Sequence, residues 1–449
     1  MDASLVRKYD VPGPRYTSYP AVPHWSRSPD AGTWTGHVRR TYLASNARQG
    51  LSLYVHLPYC DSLCTYCGCN MRVTVNHAVE EPYIRSVLAE WRMYRDRLPG
   101  TPKVRELHLG GGTPTFFGPG NLRHLVEGLL EGCDLAPDAD LGFEGHPRST
   151  TAEHLRTMAA LGFRRVSFGI QDFDPRVQEV INRIQPFEQV ERAFADARAA
   201  GYGSINADLV YGLPLQTLDS IRDTIGKTLV LRPDRIALYG YAHVPWVKPG
   251  QRRYSEADLP QGEERRALYD LGKDLLLGGG YHEVGMDHFA LPHDALCAAM
   301  ECGTLHRNFM GYTPVRTDLT IGLGVSSISD AWTCFAQNLK VVEDYQAAVA
   351  RGELPLMRGH IVDPEDLPVR AAILDLMCRF TTDLAPLGWN AVRVAERYAD
   401  LVADGLVATN GTVLRVTEAG RPFVRNVCMA IDRHLAQSTA SGPVFSRTV

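Results

Sequence analysis

Four of the chain's ten cysteines, Cys60, Cys64, Cys67 and Cys69, fall within ten residues. Thiolates compressed into one loop suit an iron–sulfur cluster, whose sulfide-bridged irons sit close together. Structural zinc usually takes two ligand pairs from separated knuckles, and no second C-x-x-C pair occurs in the sequence. The spacing therefore favours iron–sulfur over zinc or unliganded thiols. It leaves Cys69 open. Either Cys69 completes a four-thiolate electron-transfer cluster, or three cysteines hold three irons and the fourth iron is left for a cofactor. Disulfides are a poor alternative, because a 49.7 kDa chain with a large core needs no such staples. Cys133, Cys297, Cys302, Cys334, Cys378 and Cys428 are scattered singly and read as small buried hydrophobes.

These cysteines need a scaffold that presents them. The run LSLYVH (51–56) reads as a strand leading directly into the cysteine loop. Further candidate strands are 104–109, 140–144, 164–170, 204–210 and 235–240, with another near 281–285. Helical patterns fall between them at 80–97, 119–132, 150–161, 187–200, 215–231 and 260–278. Alternation at this spacing indicates parallel βα units, closing as an incomplete barrel or lying open as a doubly wound sheet. In either architecture, loops at the C-terminal ends of the strands carry the site. Gly110, Gly111, Gly112 and Thr113 follow one strand, where missing Cβ atoms let backbone amides approach a ligand. A tight turn is the plainer reading of that run. Glu144, Gln171 and Asp208 stand at the ends of three others and converge on one mouth in a barrel.

Composition narrows the rest. The formal charge is −4, so no global basic field draws the chain to nucleic acid. No stretch approaches the roughly 20 apolar residues that span a bilayer, and the N-terminus lacks the apolar core of a secretory signal. Residues 1–40, proline-rich and net +3, read as an arm. Beyond about residue 355 the alternation stops. Helices near 365–380 and 388–404, a hairpin turning at Asn410-Gly411, and a last helix over 418–437 suggest a winged-helix-like domain. Residues 363–449 carry nine Arg and no Lys against ten acids, which is not the basic footprint of a DNA-binding face.

The spacing C-x-x-x-C-x-x-C resembles the signature of the radical S-adenosylmethionine (SAM) superfamily. With Cys69 added it resembles the oxygen-independent coproporphyrinogen III dehydrogenase family. The likeness runs almost end to end: GPRYTSYP (13–20), YVHLPYC (54–60), HLGGGTPT (108–115), FGIQDF (168–173), DLVYGLP (208–214), YAHVP (241–245), MDHFALP (286–292), HRNFMGYT (306–313), GLGVSSIS (322–329) and RNVCMAID (425–432). It implies an α/β fold, an incomplete (β/α)6 TIM-like barrel over 41–355, with an N-terminal substrate arm over 1–40 and a mainly helical domain over 356–449. Cys60, Cys64 and Cys67 would ligate a [4Fe–4S] cluster whose open iron binds SAM. Cys69 would lie beside the cluster without ligating it, and with Tyr54 would be catalytic. Tyr54, Tyr66, Gly111, Gly112, Thr113, Glu144, Gln171, Arg183, Asp208, Ala242 and Ile328 would contact SAM, some of them a second SAM molecule. One departure stands out: the family's E-x-D-P-R appears as Glu144-Gly145-His146-Pro147-Arg148, which leaves the role of His146 open.

The resemblance also implies an activity. Coproporphyrinogen III would lose two propionates as CO₂ through a 5′-deoxyadenosyl radical made from SAM, giving protoporphyrinogen IX for haem synthesis. Four propionates ask for arginines, which bind carboxylates bidentately, and for aromatic surface. The candidates are Arg15 with Tyr16 and Tyr19, then Lys248, Arg252 and Arg253, then His306, Arg307 and Tyr312. A low-potential electron donor such as flavodoxin or ferredoxin, a cytoplasmic location and a monomeric state are expected. The rival readings are a haem chaperone related to this family, a radical SAM haem-degrading methyltransferase and a plain electron carrier. The first usually has an aromatic residue at the place of Cys69 and lacks the RYTSYP arm.

Overall fold

The computed structural model describes residues 3–437 and 445–448. The chain divides into two compact units, one of 27–259 with 317–361, the other of 1–26, 260–316 and 362–449. This division crosses the boundaries expected at 40 and 355. Residues 27–40 join the larger unit, and 260–316 join the smaller one. Residues 1–2, 438–444 and 449 of the expected arm and C-terminal domain lie outside the described residues.

The larger unit is built on β1 (Leu51–Leu57), β2 (Lys103–Gly111), β3 (Asp134–Gly145), β4 (Arg165–Gln171), β5 (Ser204–Tyr211) and β6 (Arg235–Gly240). Each pairs in parallel with the next. Parallel neighbours require crossovers, and the intervening helices supply them. The other edge of β1 pairs in parallel with β7 (Thr320–Leu323), not with β6. The barrel is therefore incomplete. Past β7 the sheet continues antiparallel through β8 (Ile328–Asp330), β9 (Cys334–Asn338) and β10 (Leu356–Ile361). β1 is buried along almost its whole length, as a parallel strand covered on both faces must be.

The helices α1 (Ala31–Gln49), α2 (Glu80–Arg95), α3 (Pro119–Leu130), α4 (Ala152–Ala160), α5 (Pro175–Val180), α6 (Phe187–Ala199) and α7 (Leu218–Leu231) cover the sheet. Their starts are written locally. Asp30 accepts from the Thr33 amide, and capping boxes open α4 (Thr151 with His154) and α7 (Thr217 with Ser220). α2 buries Tyr83, Ile84, Val87, Trp91 and Tyr94, a stripe at helical spacing.

The smaller unit has its own core, formed by Val369, Ile373, Leu376, Leu384, Leu401, Leu414, Val424 and Val427 among others. Helix Asp366–Arg379 packs there with a three-stranded antiparallel sheet of 381–383, 413–416 and 407–410. Tyr16 and Tyr19 belong to the same core. The Tyr16 hydroxyl donates to Asp432 at 3.0 Å, and the Arg425 guanidinium donates to the Pro14 carbonyl at 2.9 Å. The GPRYTSYP and RNVCMAID segments are thus one packed assembly, and these arm residues do not stand free. Among the described residues, no helix is long and apolar enough to cross a membrane.

Candidate active site

β1 ends at Leu57, and the short strand Tyr59–Cys60 pairs in parallel with Arg72–Val73, so the intervening residues form a clasped loop. Side chains from elsewhere in the larger unit pin its carbonyls. Asn182 Nδ2 donates to Leu63 at 2.7 Å, Gln251 Nε2 to Tyr66 at 2.9 Å, Lys248 Nζ to Cys69 at 2.9 Å, and His56 Nε2 lies 2.7 Å from the Asn70 oxygen. Cys60 is buried, Cys64 and Cys67 half-buried, and Cys69 exposed.

The thiols meet specific partners. Cys60 Sγ lies 3.2 Å from Thr113 Oγ1, and burial pushes its thiol up to about 12. Arg183 Nη1 donates to Cys64 Sγ at 3.5 Å. The Cys69 amide donates to Cys67 Sγ at 3.4 Å. Hydrogen bonding from Cys69 holds Cys67 below the usual thiol range despite burial, with Arg183 and Lys248 adding to the effect. Cys69 is pushed up in turn, first by its bond to Cys67. Among the described residues, no three His, Cys, Asp or Glu side chains converge on one point as a single ion requires. A cluster asks instead for one thiolate per iron. Three soft sulfur donors on one loop, flanked by two cations, fit that demand.

Strand alternation puts Tyr54 and His56 on one face of β1. Tyr54 pairs in register with His108 of β2 and stacks parallel to it, ring centroids 6.2 Å apart. The Tyr54 hydroxyl lies 3.1 Å from His56 Nδ1. Glu144, at the end of β3, sits 3.3 Å from His108 Nε2 and accepts from the Gly111 amide at 3.3 Å. Burial opposes its charge, yet these bonds hold its carboxyl below the usual range. Arg183 also donates to the Gly169 carbonyl at 2.5 Å. A Cβ at Gly169 would come within 2.8 Å of that guanidinium. Gln171, at the end of β4, has φ +70°. Asp208 of β5 accepts from Ser167 at 2.6 Å and Asn206 at 2.8 Å. The Ala242 carbonyl accepts from Gln251 Nε2, so Gln251 ties Ala242 to Tyr66. Ile328 opens β8 opposite Gln337.

In the glycine run, Gly111 donates its amide to Glu144, and Gly112 donates to the Leu57 carbonyl at 2.8 Å. A Cβ at Gly112 would lie 2.6 Å from the Pro58 carbonyl oxygen, and one at Gly111 would lie 2.8 Å from the His56 ring. Glycine is needed here so that β2 can brace the root of the cysteine loop.

The substrate candidates separate. Arg252 is in the larger unit, exposed, with Nε donating to the Pro245 carbonyl at 3.0 Å. Arg15, Tyr16 and Arg307 are in the smaller unit. There Arg15 lies 3.9 Å from Asp287, whose other oxygen is 2.6 Å from His288 Nδ1. Buried Arg307 stacks over Tyr312, 4.5 Å from its ring centre. Tyr16 is buried, its hydroxyl engaged by Asp432. Of the outlying cysteines, Cys302 is exposed and Cys133 half-buried, and only the other four are buried as expected. Sequence reasoning missed His56, His108, Lys248 as a loop anchor, and Gln251. Period-2 alternation along YVHLPYC was the available signal for His56.

A cysteine loop at the C-terminal end of the first strand of an open parallel barrel defines a radical SAM protein. Residues 54–227 match the family model of the radical SAM superfamily. The oxygen-independent coproporphyrinogen III oxidase of Pseudomonas aeruginosa is 38% identical over 97% of this chain and 96% of its own length. That of Escherichia coli K12 is 37% identical over 100% and 98%. The solved coproporphyrinogen III oxidase (HemN) of Escherichia coli superposes with a TM-score of 0.88 at 34% identity, over 96% of this chain and 99% of that one. The chain belongs to the oxygen-independent coproporphyrinogen III oxidase family, radical SAM enzymes that use a [4Fe–4S] cluster and SAM.

Proposed function

We propose that the protein converts coproporphyrinogen III to protoporphyrinogen IX without oxygen. Each of two propionates loses a hydrogen from its β-carbon, CO₂ and one electron, and keeps a vinyl group. Full-length kinship with oxidases of this name, joined to a clasped loop bearing Cys69 beyond three spaced thiols, carries the reading.

Cys60, Cys64 and Cys67 hold the cluster in this scheme. Tyr54, Tyr66, Gly111, Gly112, Thr113, Glu144, Gln171, Arg183, Asp208, Ala242 and Ile328 form the SAM cradle. The bound cluster and SAM together supply a hydrogen-abstracting radical. The chain's own residues set the conditions for it. Arg183 and Lys248 place positive charge against the anionic thiolates. Glu144, kept ionised by His108 and the Gly111 amide, is an anion available to a sulfonium. Arg15 and Arg307 of the smaller unit are the propionate candidates, with the N-terminal segment as substrate arm. A low-potential electron carrier, a cytoplasmic location and action as a monomer complete the proposal.

Anaerobic incubation of reconstituted protein with SAM, a reductant and coproporphyrinogen III should release CO₂ and yield protoporphyrinogen. Tight, stable haem binding with no CO₂ release would overturn the reading in favour of a chaperone. Cys69→Ser should keep its iron and labile sulfide yet lose turnover. Loss of the whole cluster in that variant would make Cys69 a fourth ligand.

A further inference from the structure

An open groove of about 410 Å³ lies on the larger unit against the outer side of the cysteine loop. One wall is the returning arm of the loop, Asn70–Val73, and the other is Lys340–Glu343, where the helix Val342–Ala350 begins. Asn70 follows Cys69 directly and its Nδ2 donates to the Lys340 carbonyl at 3.0 Å, so the groove and the cysteine loop share a hydrogen-bonded wall.

Two features give the groove a chemistry. Its rim is apolar where solvent should favour polar groups: Val73 is 47% exposed, Val341 51% and neighbouring Val75 78%. Its charge is locally reversed. Lys340, a cation of the lining, is held below the usual lysine range by burial, then by the charges of Arg358 and Lys248. Arg72 is the other cation of the lining and pairs with Glu343, the acid there, so the lining carries one more positive charge than negative. The chain as a whole carries −4. An apolar rim beside a net positive lining matches the small, electrostatically steered interfaces of transient protein encounters.

Resting on the functional reading above, we propose that this groove is the docking site of the electron donor, a small acidic protein carrying a low-potential one-electron group. The proposed reaction needs one electron at the cluster. A carrier seated in this groove rests against the loop that would hold the cluster. On docking, one electron leaves the reduced carrier and enters the oxidised cluster. The carrier is oxidised, the cluster is reduced, and no atom is transferred. Acidic side chains of the carrier meet Lys340 and Arg72, and its apolar contact patch covers Val73 and Val341.

The test compares two reductants on reconstituted enzyme carrying Arg72→Glu with Lys340→Glu. Arg72 pairs with Glu343 rather than with a thiol. Bleaching of the cluster absorbance is followed by stopped flow, once with flavodoxin hydroquinone and once with dithionite, which needs no docking surface. The flavodoxin rate should fall by about tenfold or more and lose its salt dependence, while the dithionite rate stays at the wild-type value. Lys340→Gln, which removes one charge without reversing it, should give an intermediate flavodoxin rate. An unchanged flavodoxin rate would overturn the proposal, as would equal slowing with both reductants, which would mean a disturbed cluster. Product formation does not enter this readout. Wild-type enzyme that accepts electrons from both reductants yet leaves coproporphyrinogen III intact would sink the functional reading and leave the docking result standing.

Discussion

His146 stands where the family resemblance leads one to expect aspartate, and its contacts explain how a different side chain fills the place. Its Nδ1 accepts from the Arg148 amide at 3.1 Å, the i-to-i+2 bond that aspartate makes in an Asx turn. Its carbonyl accepts from the Thr150 amide at 2.9 Å. Burial first, then the charges of Arg183 and Arg148, lower its pKa to about 2. A neutral imidazole therefore offers the lone pair that a carboxylate would have offered. The residue was conspicuous in the sequence, but its bond depends on local backbone geometry that no spacing reveals. His146→Leu should remove the acceptor of the Arg148 amide, at a cost of about 1 kcal/mol. His146→Asp should retain the turn. Thermal melts of the two variants decide the matter, and equal melting temperatures would sink the explanation.

At the scale of elements, the strands were legible because parallel, doubly covered strands read as short apolar runs. The stretches 204–210 and 235–240 became Ser204–Tyr211 and Arg235–Gly240. The helices followed their apolar stripes in the same way. The last helix did not. In place of one element over 418–437, the chain forms Val424–Met429, breaks, and restarts at Arg433. Asp432 accepts from the His434 and Leu435 amides at 2.9 and 3.2 Å, a local side-chain bond that competes with continued helix. The first part of β3 was also missed, because DLAPDA (134–139) has neither apolar alternation nor strand formers. The turn after β2 was legible as glycine-rich, but its purpose was not. Since a Cβ at Gly112 meets backbone that cannot swing aside, Gly112→Ala should force strain of about 1–3 kcal/mol into the root of the cysteine loop. Reconstituted iron content should drop while far-UV circular dichroism stays near wild type. Full iron loading in the variant would show that the brace is dispensable.

At the scale of the molecule, the two units are interleaved along the chain, so the boundaries read from the sequence at 40 and 355 do not follow them. Sequence shows where periodicity stops, not which distant segments share a core. Within the larger unit, one buried acid joins early and late segments. Glu90 of α2 accepts from the Gly324 amide at 2.8 Å, Asn338 Nδ2 at 2.6 Å and the Tyr345 hydroxyl at 2.6 Å. It is fully buried, and burial raises its pKa from 4.5 to about 7 against the opposing hydrogen bonds. The folded protein therefore binds a proton that the unfolded chain releases between those values. Stability from this group is fully present below pH 4.5 and declines as pH rises towards 7, by about 1.4 kcal/mol per pH unit. Glu90→Gln cannot titrate, so its unfolding free energy should lack that component even where the amide lowers absolute stability by opposing Asn338. Urea unfolding of the larger unit between pH 5 and 7 measures both slopes. Wild type should lose stability more steeply than Glu90→Gln across that window, and parallel slopes would mean that Glu90 enters the folded state with its charge already compensated.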